Sequence, residues 1–166
     1  MIHKRCSLVA IAVLRALSSW TCAAETANDP ADRAAVEAFT RQFLRAFEDL
    51  DMKQVIGCFA DDATVFFPTP EPPERVEGKP AIQQRFEQVF ASIRSAAKSG
   101  PPFHHLVPED LSIQLRPGPT AVVSFHLRNE ERIARRTLVI SKTDGQWFII
   151  HLHASNAPVG GRLKNH

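Results

Sequence analysis

Three polar residues in the second half of the chain carry side chains suited to acid–base chemistry: His126, Arg136 and Asp110. A neutral histidine can act as a general base, and an arginine can bind a carboxylate or stabilise an oxyanion. Asp110 comes just before a strand-like segment and is the weakest of the three. The structural alternatives are a solvated strand-end position for His126, and a pocket rim or dimer contact for Arg136. Both interpretations stay open at this point.

Two histidines, His151 and His153, are spaced to bind one ion from a single strand. No third ligand follows at a metal-binding spacing, and packing within a sheet explains the pair as well. The chain also lacks a glycine-rich phosphate loop and a Gly-x-Ser-x-Gly motif. We therefore expect no metal and no cofactor.

The first 24 residues form a segment of their own. Met1–Arg5 is basic, Cys6–Leu14 is almost entirely apolar, and small residues end at Ala24. This order predicts a secretory signal peptide that is cleaved after Ala24, so we expect a periplasmic or extracellular protein. Because the segment also lacks acidic residues and contains Arg15, an organelle transit peptide is the alternative. The apolar run is too short to span a bilayer, so we expect no membrane anchor.

Removing this leader changes both the charge and the cysteine count. The full chain of 166 residues has 20 basic and 18 acidic residues, of which the leader holds three basic ones and no acid. The mature chain therefore has a net charge of −1, which argues against nucleic acid as a partner. Of three cysteines only Cys58 remains. We expect no internal disulfide, and a buried, unreactive thiol.

The first half of the mature chain has helical periodicity. After a disordered lead-in over residues 25–30, in which Asp29 and Pro30 suit a helix cap and first turn, apolar residues recur every three or four positions up to Leu50. A capping box at Asp51 predicts a short second helix. Pro80 opens a third helix.

The second half changes to the period of strands. A first strand is predicted over Ala63–Phe67, followed by a proline-rich loop, and four more over 111–115, 120–127, 133–141 and 146–154. Helices first and a strand meander second indicate the α+β class, with three N-terminal helices packed on a curved, mostly antiparallel sheet. One domain is expected over residues 31–158, with a tail over 159–166.

Three segments resemble the nuclear transport factor 2-like superfamily, in particular its SnoaL-like group and the association domain of calcium/calmodulin-dependent protein kinase II. They are Val76-Glu77-Gly78 with Phe86-Glu87 eight residues later, Pro102-Phe103-His104 at the expected start of a strand, and the run from Asp144 to Pro158. The last is the most specific, because the family has a similar run ending in His-x-His-x-Ser-x-Ala-Pro.

The resemblance implies a cone-shaped fold with a pocket between the sheet and the helices. In the kinase association domain this pocket holds arginines and a histidine, whose places fall here on Ser124, Leu138, Ala154 and Ile82. None of these can ionise, so the same anion site is not expected, and the departure favours a more apolar ligand or no ligand. Residues expected to line the pocket are Phe66, Ile82, Phe86, Phe90, Ser124, Leu138, Phe148, Ile150 and Ala154.

Two functions follow as hypotheses. The first is an exported protein that binds a small, largely apolar molecule in its pocket and forms a homodimer or larger homo-oligomer through its sheet. The second is an isomerase, cyclase or dehydratase that uses His126, Arg136 and Asp110 for acid–base chemistry. The resemblance supplies no assured catalytic pair, so the binding function is preferred.

Overall fold

The computed structural model describes residues 29–68 and 75–160 of the 166-residue chain. The predicted leader, residues 25–28 of the lead-in, residues 69–74 of the proline-rich loop and residues 161–166 of the tail lie outside the described residues. The elements are, in chain order, α1 (Pro30–Glu48), α2 (Met52–Gly57), β1 (Phe59–Phe66), β2 (Arg75–Glu77), α3 (Lys79–Ala96), β3 (Glu109–Arg116), β4 (Thr120–Arg128), β5 (Arg132–Thr143) and β6 (Gln146–Pro158).

The helix starts follow from their caps. The carboxylate of Asp29 accepts a hydrogen bond from the backbone N–H of Ala31 at 2.8 Å, and Pro30 occupies the first helical turn. At α2 the Asp51 carboxylate accepts from the backbone N–H of Gln54 at 3.0 Å and from the Gln54 side-chain amide at 2.7 Å. These two bonds lower the pKa of Asp51, because they favour its charged form.

The six strands form one sheet in the order β2-β1-β6-β5-β4-β3. All neighbouring strands are antiparallel except β1 and β6, which are parallel. The predicted α+β class, with helices against a curved and mostly antiparallel sheet, is confirmed. The sequence missed the short strand β2. It also placed the start of a strand at Pro102-Phe103-His104, whereas β3 begins at Glu109.

One face of the sheet packs against the helices, and we call it the inner face. On β4 the buried inner residues are Ala121, Val123 and Phe125. On β6 a bulge opposite Val139 and Ile140 adds one residue, so that Ile149 and Leu152 both lie on the inner face. Strict alternation along β6 would group Leu152 with Phe148 and Ile150, and the bulge is the reason that it does not.

Phenylalanine rings join the helices to the sheet. On α3 the ring of Phe90 is fully buried, with its centroid 5.2 Å from that of Phe47 on α1 and 5.9 Å from that of Phe86. Phe59 on β1 continues the cluster, 5.8 Å from Phe86 and 6.0 Å from Phe43. Edge-to-face and tilted rings fill this layer and fix the distance between helices and sheet.

Candidate functional site

A cavity of about 570 Å³ lies between the inner face of the sheet and helices α1 and α3. This volume falls within the range of small-molecule sites in proteins. Most of its wall is apolar, and the apolar part is contributed by Phe43, Leu44, Phe47, Phe67, Pro68, Phe86, Val89, Ile93, Leu106, Val107, Phe125, Leu127, Ala134, Leu138, Leu152 and Ala154.

The polar lining residues of the sheet are concentrated at one end of the cavity. This end is where β4 finishes, β5 starts and β6 finishes, because Leu127 pairs with Ala134 and Ala134 pairs with Asn156. The lining residues contributed here are Arg128, Asn129, Arg132, Arg136 and Asn156. Further along β5 and β6 the wall continues with Leu138 and Leu152, which pair with each other and are apolar.

Arg136 is the polar group that reaches furthest along β5 toward the apolar part of the cavity. It pairs with Phe125 on β4 and Ala154 on β6, both of which border the cavity. Its Nη1 donates hydrogen bonds to the backbone carbonyls of Arg135 at 2.8 Å and Ser155 at 3.2 Å. Burial, with a smaller contribution from the nearby charge of Arg132, lowers the pKa of Arg136 to about 10. The guanidinium therefore stays charged at neutral pH.

The carboxylate that lines this end of the cavity is already paired. Glu109 accepts a hydrogen bond from Nε of Arg128 at 3.2 Å, and both side chains are about half exposed. Within residues 29–68 and 75–160, neither Arg132 nor Arg136 has a carboxylate within ion-pair distance.

The segment before β3 closes another side of the cavity. Glu48, the last residue of α1, anchors it: the Glu48 carbonyl accepts from the N–H of Phe103 at 2.8 Å, and its carboxylate accepts from the N–H of Leu106 at 2.5 Å. His104, His105, Leu106 and Val107 consequently border the cavity. Two histidines are thus brought to the site by a segment without regular structure.

The residues predicted for acid–base chemistry do not come together. Arg136 borders the cavity, but His126 does not, because the inner residues of β4 are its neighbours Phe125 and Leu127. Asp110 is exposed and lies beside a register shift in β3, with a φ of 52°. Its neighbour Glu109 borders the cavity instead. Of the three residues predicted for acid–base chemistry, Arg136 therefore lines the cavity, whereas His126 and Asp110 lie outside it.

The expected pocket-lining set divides in the same way. Phe86, Leu138 and Ala154 border the cavity. Ile82 and Phe90 are fully buried in the core and do not border it. Phe66, Ser124, Phe148 and Ile150 do not border it either, because they are not on the inner face. Phe66, for example, contacts the ring of His151 at a centroid distance of 5.7 Å, while its neighbour Phe67 lines the cavity.

Several lining residues were not predicted, although the pattern of apolar residues in the sequence indicates them. On β4 the set Ala121, Val123, Phe125 and Leu127 is uniformly apolar, which marks it as the inner face. Taking that set would have placed Phe125 and Leu127 at the cavity. No comparable signal pointed to His104 and His105, because their position depends on hydrogen bonds to Glu48 from a distant part of the chain.

The opposite, outer face of the sheet carries the histidine pair. The Nδ1 atom of His151 lies 2.7 Å from the hydroxyl oxygen of Thr64. Burial lowers the pKa of His151, and the nearby charges of His153 and Arg75 lower it further. Among the residues that the structure describes, no group of three or more His, Cys, Asp or Glu side chains is arranged to hold a metal ion.

Cys58 lies at the end of α2, away from the cavity. Its thiol is buried and donates to the backbone carbonyl of Gln54 at 3.4 Å. Burial raises its pKa to about 11, against a smaller opposing effect of Lys79. The thiol is therefore protonated at neutral pH and a poor nucleophile.

Comparison with known proteins identifies the family. Residues 36–160 match the family model described as the SnoaL-like domain. The chain belongs to the SnoaL-like domain family. None of the curated proteins matches this SnoaL-like chain by sequence. In the parts of the chain that the structure covers, no helix is long and apolar enough to cross a membrane.

Solved structures agree with this fold. An NTF2-like protein of unknown function from Pseudomonas putida KT2440 aligns with a TM-score of 0.65 at 21% identity, covering 76% of this chain and 87% of that one. A ketosteroid isomerase-like protein from Erwinia carotovora atroseptica SCRI1043 aligns with a TM-score of 0.63 at 17% identity, covering 80% and 100%. A protein of unknown function with a cystatin-like fold from Nostoc punctiforme PCC 73102 aligns with a TM-score of 0.59 at 15% identity, covering 79% and 95%. At these identities the likeness concerns the fold alone.

Proposed function

We propose that this SnoaL-like protein binds a small, largely apolar molecule in the cavity between its sheet and its helices. The observation that carries the proposal is the cavity itself: about 570 Å³, with a mostly apolar wall and with the polar lining residues of the sheet at one end. Sites for small molecules have this composition, in which the apolar wall supplies affinity and the polar groups fix orientation. The phenylalanine layer leaves a cavity of this volume open beside it, which supports a binding function over a purely structural one.

A neutral apolar dye tests the proposal. N-phenyl-1-naphthylamine should bind with increased fluorescence and saturate at one molecule per chain. Ala154→Leu adds three carbon atoms to the cavity wall, where Ala154 is only 7% exposed, and should weaken dye binding at least about tenfold through overpacking. Ala157→Leu is the matched control, since Ala157 lies on the same strand but does not border the cavity.

The proposal fails if the dye does not bind the wild-type protein, or if both leucine variants bind it as well as the wild type. Native mass spectrometry of the protein purified from its own host gives an independent check. A bound molecule of defined mass, lost in the Ala154→Leu variant, is the expected result.

Acid–base catalysis in the same cavity is the second candidate function. It is favoured by the titratable side chains His104, His105 and Glu109, which line the same cavity as Arg136. The fold likeness to a ketosteroid isomerase-like protein is compatible with it. His126 and Asp110 are poorly placed to take part, so His126→Ala should leave any turnover unchanged. A loss of turnover in His104→Ala or His105→Ala, with dye binding retained, would favour the enzyme.

We further propose that the protein is exported and self-associates. Export rests on the first 24 residues, and N-terminal sequencing of the protein from its host should begin at Glu25. Self-association rests on the outer face of the sheet, where Val122, Val139 and Phe148 are only half-buried and Ile150 is 36% exposed. A second copy would cover this apolar surface. Light scattering at micromolar concentration should give at least twice the monomer mass.

A further inference from the structure

We propose that the ligand is an anion: an apolar body that ends in a carboxylate, which pairs with the guanidinium of Arg136. This inference rests on the proposed binding function and specifies the class of molecule. It differs from the anion site of the kinase association domain, whose arginine places fall here on Ser124, Leu138 and Ala154, because the proposed carboxylate partner is a different residue.

The first argument is the geometry of the guanidinium. Nη1 of Arg136 is held by the backbone carbonyls of Arg135 and Ser155, at 2.8 and 3.2 Å, which fixes the plane of the group. Within the described residues, its Nε and Nη2 atoms have no hydrogen-bond acceptor. These two nitrogens form the edge of the guanidinium whose parallel N–H bonds match the two oxygens of a carboxylate.

The second argument is charge. The cavity wall contains three arginines, Arg128, Arg132 and Arg136, and one carboxylate, Glu109. Glu109 pairs with Arg128, which leaves two guanidinium groups without a carboxylate partner among the described residues. A half-buried cation in an apolar wall is costly unless an anion offsets it, so an anionic ligand gains affinity here that a neutral one does not.

The third argument is the order of residues along β5. Side chains on one face of a strand are about 6.8 Å apart, and the lining series on β5 runs Arg132, Ala134, Arg136 and Leu138. Arg136 therefore stands at the boundary between the polar end and the apolar part. A ligand with its carboxylate on Arg136 would extend its apolar body past Leu138 and Leu152, which form a register pair.

Two matched pairs of probes test the inference. Decanoate and decan-1-ol share a linear apolar chain, while 2-naphthoate and 2-naphthalenemethanol share a planar ring system. Their affinities are measured at neutral pH by displacement of N-phenyl-1-naphthylamine. We expect at least one carboxylate to bind about 10- to 100-fold more tightly than its neutral partner, the range of a charge-assisted hydrogen-bonded pair.

Variants assign the preference to one side chain. Arg136→Met should bring the affinity ratio of carboxylate to alcohol to within about threefold of one, and Arg136→Lys, which keeps the charge without the two-nitrogen edge, should give an intermediate ratio. Arg135→Met is the control, because Arg135 is the neighbouring residue on the same strand, is exposed and does not border the cavity. It should keep the wild-type ratio. Urea unfolding of each variant establishes that it is folded.

The outcomes separate this inference from the proposed function. If alcohols and carboxylates bind the wild-type protein equally, the anionic ligand is refuted while apolar binding stands. If the carboxylate preference survives in Arg136→Met, or disappears equally in Arg135→Met, the assignment to Arg136 is refuted. If none of the four probes displaces the bound dye, the inference fails while the binding of the dye itself stands. Failure of the dye to bind at all refutes the proposed function.

Discussion

Replacing Phe90 by alanine should destabilise the protein more than any change at the outer face of the sheet. The Phe90 ring is 0% exposed and lies against Phe47 and Phe86, at centroid distances of 5.2 and 5.9 Å. Truncating a fully buried phenylalanine costs about 3–5 kcal/mol through lost transfer free energy and the cavity that remains. Because two ring contacts are lost as well, each worth about 0.5–1.5 kcal/mol beyond area, we expect a value in the upper half of that range, about 4–5 kcal/mol.

Urea unfolding followed by circular dichroism measures this change in the free energy of unfolding. Phe66→Ala is the control of matched chemistry, since Phe66 is half-buried on the outer face and contacts the rings of His151 and His153. It should cost about 1 kcal/mol, as is typical of partly exposed positions. A loss below about 2 kcal/mol for Phe90→Ala, or equal losses for the two variants, would refute the placement of Phe90 in the core.

Two further predictions follow from titratable groups outside the cavity. The pKa of His151 is lowered in the folded protein, so the unfolded chain takes up this proton first as the pH falls through the ordinary value of 6.5, and the free energy of unfolding decreases there. The variant His151→Gln should therefore lose less unfolding free energy than the wild type between about pH 7.5 and about pH 5.5. Parallel plots of unfolding free energy against pH for the two proteins would contradict this. Burial raises the pKa of Cys58 from 9.0 to about 11. With the other two cysteines replaced by serine, Cys58 should therefore react with iodoacetamide about 100-fold more slowly in the native than in the urea-unfolded protein at about pH 8. Rapid stoichiometric labelling of the native protein would contradict this, because it would show that the thiol is accessible.

The helices and the fold class were predictable because their signals are local. Asp29 and Asp51 cap helices by contacting backbone groups two and three residues away, and a sequence displays both partners together. The apolar periods of α1 and α3 likewise identify the faces that contact the sheet. Strand β2 was missed because its three residues are too few to show a period, and it exists only through pairing with β1.

The lining of the cavity was harder to predict because it depends on which face each strand presents. Alternation divides the residues of each strand into two sets, but it does not say which set lies on the inner face. One residue added by a bulge moves every later residue of the strand to the opposite face. The bulge in β6 does this, so Ile149 and Leu152 lie on the same face although they are three apart. On β4 the choice of Ser124 came from the family resemblance and His126 shares its face by alternation, against the apolar set that the sequence itself displays.

The positions aligned with the arginines of the kinase association domain are uncharged here, yet the cavity contains a charged group, Arg136, at a different position of β5. The pocket places that hold arginines in the kinase association domain correspond here to Ser124, Leu138 and Ala154, and of these only Leu138 and Ala154 border the cavity. Arg136 precedes Leu138 by two residues, so it presents its side chain on the same face of β5, nearer the polar end. A cation can therefore reach the same cavity from a neighbouring inward position on the strand. For this fold, the relevant comparison is the charge that a cavity encloses, which the strand faces determine, and not the residue type at one aligned position.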